Sequence, residues 1–239
     1  MIKNIRKVSN IRYASIREMD ISNGEGVGVA LFVQGCPFNP HCYNCFNPDT
    51  WDFNGGKEWT TEVKEKFLEL IDRPYIKRVS ILGGEPLADE NLDDVLDLVT
   101  EINKRYNFQN FDSANPCKMG VPEDKNTDKI RLLSSHKNIW LYTGYKLIID
   151  YSESKRQRKT VFTLLPYANT NVVNDINEYR RLCENDDKRR MIAESVDFIV
   201  DGRYIDEQRD VSLKYRGSKN QKIINVLESL KQQKVVTIG

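Results

Sequence analysis

Two hydrophobic periods run through this chain. Val27 to Val33 is a continuous apolar stretch of strand length, the pattern of a strand buried on both faces. It stops at Gln34-Gly35-Cys36. Thr60-Thr61-Glu62 supplies a hydroxyl cap and a first-turn acid, so a helix is predicted with Val63, Phe67, Leu70 and Ile71 on its apolar face. Ile76 to Leu82 reads as a second strand, ended by Gly83-Gly84-Glu85-Pro86. The next helix keeps Leu92, Val95, Leu96, Val99, Ile102 and Tyr106 in helical phase. Ile139 to Tyr142 and Val196 to Val200 give a third and a fourth strand, ended by Thr143-Gly144 and Asp201-Gly202. Strands alternating with helices predict an α/β fold with parallel strands. Chemistry in such folds gathers at the carboxyl ends of the strands. All four predicted ends carry glycine, and one opens a run of cysteines.

Two stretches break the rhythm. Residues 107–137 are polar and turn-rich, with Asn115-Pro116-Cys117 and Val121-Pro122-Glu123-Asp124. Residues 150–192 carry the basic runs Lys155 to Lys159 and Lys188 to Arg190. Both read as surface insertions in one domain spanning 1–239, and the basic runs as solvated faces. With 39% apolar, 10% aromatic and 30% charged residues, the chain does not have the composition of a disordered one. A net charge of +1 argues against a dedicated binder of nucleic acid or of a membrane surface. No apolar run reaches the ~20 residues that span a bilayer, and the basic start at Met1 to Lys7 reads as no signal peptide. A cytoplasmic location is expected. Five cysteines, an odd number without an export signal, point to metal or redox use and away from a disulfide framework.

Cys36, Cys42 and Cys45 form C-x5-C-x2-C, while Cys117 and Cys183 stand alone. Three readings compete. His41 could complete a tetrahedral zinc site, but it is the immediate neighbour of Cys42, and adjacent side chains seldom share one ion. The thiols could be buried small hydrophobes, but Pro37 to Pro40 and Tyr43-Asn44 make the segment a loop. An iron–sulfur cluster with three protein ligands uses all three thiols and keeps one iron open to an exogenous ligand. Gly83-Gly84-Glu85-Pro86 adds a second element: its glycines let backbone approach a ligand closely.

These motifs in this order resemble the radical S-adenosylmethionine superfamily. Further stretches are similar to its family of anaerobic ribonucleoside-triphosphate reductase activators: Val33 to Cys36, Cys45 to Trp51, Trp140 to Tyr145, Val200 to Gly202 and Arg216 to Gln221. The likeness covers residues 1–105, 138–146 and 196–228. One departure stands out, since that family spaces its cysteines C-x3-C-x2-C and the first gap here is five residues. The resemblance implies a partial (β/α) barrel with an open side, interrupted by the two insertions. It implies a 4Fe–4S cluster on Cys36, Cys42 and Cys45, whose open iron chelates S-adenosylmethionine. Tyr43, Asn44 and Phe46 would lie against nucleoside and cluster. Gly83, Gly84 and Glu85 would meet the cofactor's amino group, and Thr143 and Gly144 its ribose or sulfonium. Asp201 would face the cavity, and Arg216-Gly217-Ser218 would lie at the partner or near the site. The implied reaction cleaves the cofactor reductively and leaves a glycyl radical on the partner reductase, with a reduced flavodoxin-type protein as donor.

Other functions remain open on sequence alone. One is activation of a different glycyl-radical enzyme such as pyruvate formate-lyase. Others are radical chemistry on a small molecule, and a non-catalytic metal-binding module. No nucleophilic triad is visible around His41 or His136.

Overall fold

The computed structural model describes residues 11–107, 136–150, 161–165 and 176–239, with backbone alone for 148–150, 161–165 and 176–183. Residues 108–135, 151–160 and 166–175 of the expected insertions, including Cys117 and the Lys155 to Lys159 run, lie outside the described residues. The strands are β1 (Arg12–Asp20), β2 (Gly28–Val33), β3 (Lys57–Glu58), β4 (Arg78–Gly83), β5 (Asn138–Thr143), β6 (Lys146–Asp150), β7 (Val161–Leu165), β8 (Phe198–Asp201), β9 (Lys222–Asn225) and β10 (Thr237–Ile238). The helices are α1 (Thr61–Asp72), α2 (Leu92–Ile102), α3 (Ile176–Glu194) and α4 (Val226–Gln232). Eight strands form one open sheet in the order β10-β9-β8-β5-β4-β2-β1-β3, and β6 and β7 pair separately.

The fold is mixed α/β. The four expected strands are its middle: β2, β4, β5 and β8 run parallel, in register Val29↔Val79, Ser80↔Trp140 and Leu141↔Ile199. The expectation of parallel strands holds only there. β1 and β9 flank this block antiparallel, on β2 and β8 respectively. Neither was visible as a strand, because β1 is rich in charge and β9 is four residues long.

Side-chain alternation sorts the strands into two faces. Val29, Leu31, Val33, Val79, Ile81, Ile139, Leu141 and Ile199 join Phe67, Leu68 and Ile71 of α1 and Leu92, Val95, Leu98, Val99 and Ile102 of α2 in the main core. Thr60 caps α1 by accepting from the Val63 amide at 3.3 Å. The opposite face carries Ala30, Phe32 and Leu82 in one small cluster and Trp140 and Val200 in another. Arg78 and Ser80 are buried on the same strand positions as Leu82. The continuous apolar run at β2 therefore has the cause its sequence suggests: both faces are covered. The other face is the floor from which the site rises.

Residues 150–192 are not wholly peripheral. α3 sends Ile192 and Ala193 into the main core, and Arg189, expected in a solvated run, is 6% exposed. No helix among the described residues is long and apolar enough to cross a membrane.

Candidate functional site

The loops that leave β2, β4, β5 and β8 meet around one cavity of about 500 Å³. Cys36, Cys42 and Cys45 line it, with Phe46, Gly83, Gly84, Glu85, Thr143 and Gly144. Thus nine of the residues singled out in the sequence are brought together, from segments spread over more than 100 positions. Tyr43 and Asn44 stand apart from them. Tyr43 is exposed and faces a neighbouring cavity that Asp201 also lines. Asn44 is exposed as well, and its amide donates to Asp206 Oδ2 at 3.0 Å.

The cysteine loop is fastened by backbone and aromatic contacts. The Gly35 amide donates to Thr50 O at 2.9 Å and the Cys36 amide to Trp51 O at 3.0 Å. The long first gap is pinned at both ends. Phe38 packs on Tyr145 with ring centroids 5.4 Å apart, and His41 stacks on Trp51 at 4.2 Å and 8°. Those two anchors, Phe38 and Trp51, were not identified as site residues by sequence, because an aromatic in a loop gives no signal of what it packs on.

Gly83 and Gly84 show why glycine is needed. Gly83 has φ +112°, a conformation that L side chains rarely adopt. A Cβ on Gly84 would sit 2.3 Å from Gly35 O and 2.8 Å from Thr50 O. Neither contact can relax by rotating a side chain, since both atoms are backbone. The Gly84 amide donates to Val33 O at 2.9 Å and the Glu85 amide to Gly35 O at 2.7 Å, so this loop is laced to the cysteine loop. Gly84→Ala is expected to push the two loops apart and to cost about 1–3 kcal/mol, the usual range for overpacking. Chemical denaturation checks the cost.

Glu85 is 1% exposed. Its Oε1 accepts from the Leu87 amide at 2.9 Å and Thr143 Oγ1 at 2.8 Å, and its Oε2 from the Gly144 amide at 2.7 Å. One carboxylate thus ties the turn after β4 to the turn after β5. Burial pushes its pKa up to about 7 despite these donors. Burial likewise pushes the Cys36 thiol up to about 11, with Glu85 and the other two cysteines adding repulsion. Cys36 beside this carboxylate would be favoured as a thiolate by a positively charged inorganic partner.

The donor set can be weighed against the metals considered above. Among the described residues no group of three His, Cys, Asp or Glu side chains is gathered for a single metal ion. Zinc needs its donors within about 2.3 Å of one point, and His41 is not gathered with the three thiols in that way. A four-iron cluster distributes its thiolates over separate irons, which suits three thiols around a cavity rim. Tyr142 and Arg216 also line the cavity, and the Tyr142 hydroxyl and Arg216 Nε are buried without a hydrogen-bond partner among the described residues. The Arg216 to Gln221 stretch is a hydrogen-bonded turn. Gln221 Oε1 accepts from the Gly217 amide at 2.9 Å, and its Nε2 donates to Gly202 O at 3.0 Å.

The chain is 28% identical over 215 residues to an anaerobic ribonucleoside-triphosphate reductase-activating protein of Vibrio cholerae, covering 89% of this chain and 97% of that one. Proteins of the same name from Escherichia coli K12 and Enterobacteria phage T4 are 25% and 24% identical over 213 residues, at 88% and 89% of this chain and 96% and 93% of theirs. Residues 22–114 and 125–224 match the model of the 4Fe-4S single cluster domain, well over half of the chain. On that match the chain belongs to the 4Fe-4S single cluster domain family.

Proposed function

We propose that this protein activates an anaerobic ribonucleoside-triphosphate reductase, using a 4Fe–4S cluster and S-adenosylmethionine to place a glycyl radical on it. The observation that carries the reading is the meeting of Cys36, Cys42 and Cys45 with Gly83, Gly84 and Glu85 around one cavity. In this reading the open sheet is the partial barrel of the radical S-adenosylmethionine type, its open side admitting a loop of the partner. The names of the relatives favour the reductase over other glycyl-radical enzymes as target.

Cys36, Cys42 and Cys45 would hold the cluster. When bound, cluster and cofactor together supply one-electron cleavage of a sulfonium C–S bond and abstraction of a hydrogen atom. The chain's own task is to bind, orient and exclude water. The Gly83-Gly84 turn lets the cavity wall close onto the cysteine loop, where a Cβ would strike the Val33 and Gly35 backbone. Glu85 ties the turns after β4 and β5 together, and as a cavity-lining carboxylate it is the group proposed to meet the cofactor's ammonium. The unpartnered Tyr142 hydroxyl and Arg216 Nε suit acceptor oxygens of a ligand. The cavity lies within the roughly 300–1,000 Å³ of small-molecule sites. A reduced flavodoxin-type protein is the proposed donor, and the cytoplasm the proposed location.

The test is an anaerobic mixture of loaded, reduced protein, S-adenosylmethionine and the reductase from the same organism, followed by electron paramagnetic resonance. A glycyl doublet is expected. Its absence, with a signal appearing on pyruvate formate-lyase in its place, would transfer the reading to that target. A single zinc per chain and no iron would make this a structural metal module.

A further inference from the structure

We infer that Arg189 of α3 is a positioning residue for the cofactor wall, clamping from outside the same turn that Glu85 holds from inside. The inference rests on the proposed function for what the wall binds, but the clamp itself is read from geometry alone.

The Arg189 guanidinium is spread across three elements. Nε donates to Leu87 O at 3.0 Å, reaching 102 residues back along the chain. One terminal nitrogen donates to Asp89, and the other to Asp186 on its own helix at 2.9 Å. Its central carbon lies 5.2 Å from the ring centroid of Tyr145. Leu87 and Asp89 lie two and four residues after Glu85, and Tyr145 follows Thr143-Gly144. Leu87 is therefore gripped on both of its backbone groups: its amide by Glu85 Oε1 and its carbonyl by Arg189. Tyr145 is in turn the ring against which Phe38 of the cysteine loop packs. One buried cation thus touches the segments after β4 and β5 directly and the cysteine loop only through Tyr145, without itself lining the cavity. Arginine suits the task because its planar fork meets a carbonyl and a carboxylate together while its face stacks on a ring.

α3 does not depend on this residue to dock. Ile192 and Ala193 are in the main core, and Lys188 pairs with Asp93 of α2 at 2.8 Å. Arg189→Met keeps the apolar stem and is expected to fold.

Two measurements on the full chain test the clamp. Hydrogen–deuterium exchange should be at least about tenfold faster in Arg189→Met over Gly83 to Asp89 and over Thr143 to Tyr145, and unchanged over α1. Equilibrium binding of S-adenosylmethionine to cluster-loaded protein should weaken about tenfold or more, with iron content unaltered. Arg189→Lys, which keeps the charge but not the fork, should recover part of the affinity. Unchanged exchange in the Gly83 to Asp89 turn overturns the clamp. Faster exchange with wild-type affinity also overturns it, since the residue would then serve packing alone. Wild-type protein that takes up no S-adenosylmethionine counts against the functional reading itself, and the exchange result still decides whether the clamp exists.

Discussion

Cys42→Ala is expected to yield a folded protein that holds no stable four-iron cluster and forms no glycyl radical on the reductase. Iron and sulfide after anaerobic loading should fall from about four each per chain toward zero. The thermal midpoint of the unloaded variant should stay within about 2 °C of unloaded wild type. The two expectations separate because the thiol and the core are different parts of the molecule. Cys42 is half-buried on a loop, and the main core is built from α1, α2 and the sheet. The loop is held by its own contacts, the His41 stack and the amide bonds from Gly35 and Cys36. Global unfolding of Cys42→Ala would instead mark the metal as a structural staple.

The largest effect on stability is expected from Asp20→Ala. The Arg78 side chain is fully buried, and Asp20 is 3% exposed. The guanidinium donates to Asp20 Oδ1 at 2.8 Å, to Asp20 O at 2.6 Å and to Ser80 Oγ at 2.8 Å. Removing the carboxylate leaves a cation in the protein interior without its counter-charge, a loss of about 3–5 kcal/mol. Urea denaturation measures it. The double variant Asp20→Ala, Arg78→Met should recover much of that loss, because the cost lies in the unpaired charge. The pair also sets a pH signature. Burial acts to raise the Asp20 pKa, but hydrogen bonds from Arg78 and Asn23 and the Arg78 charge hold it below the usual carboxylate range. Its contribution is therefore fully present above the unfolded value of about 3.9 and is lost as pH falls through the lower folded value. The stability gap between wild type and Asp20→Ala should narrow in that acid window and nowhere above it. A gap that stays constant down to acid denaturation would contradict the pairing.

The four parallel strands were legible because burial on both faces leaves an apolar run that needs no partner to be recognised. Cysteine spacing was legible for a similar reason, since thiols within ten residues limit what they can hold. Arg78 was not. Inside the run from Ile76 to Leu82 it reads as an interruption, and the group that satisfies it lies 58 residues away. Glu85 was singled out as a residue facing the cofactor, but its three protein donors come from Leu87, Thr143 and Gly144. No local pattern announces such a strut. Arg189 shows the limit most clearly. Among neighbouring basic residues it looks solvated, and only the return of α3 onto Leu87 and Asp89 gives it a buried role. β1 was missed because its one buried residue is the charged Asp20 while the apolar Met19 is exposed, so the strand lacks the apolar–polar alternation that would mark it.

The ends of the eight-stranded sheet carry one more consequence. Its outermost strands, β3 and β10, are two residues long and exposed, and β3 is a Lys57-Glu58 pair. Such stubs offer little backbone for a foreign chain to zip onto, and the charges on one of them discourage stacking further. β1, by contrast, meets β3 only at Arg12 and Tyr13, so among the described residues its backbone from Ala14 to Asp20 has no strand beside it on that flank, and this is where a borrowed strand would have room to add.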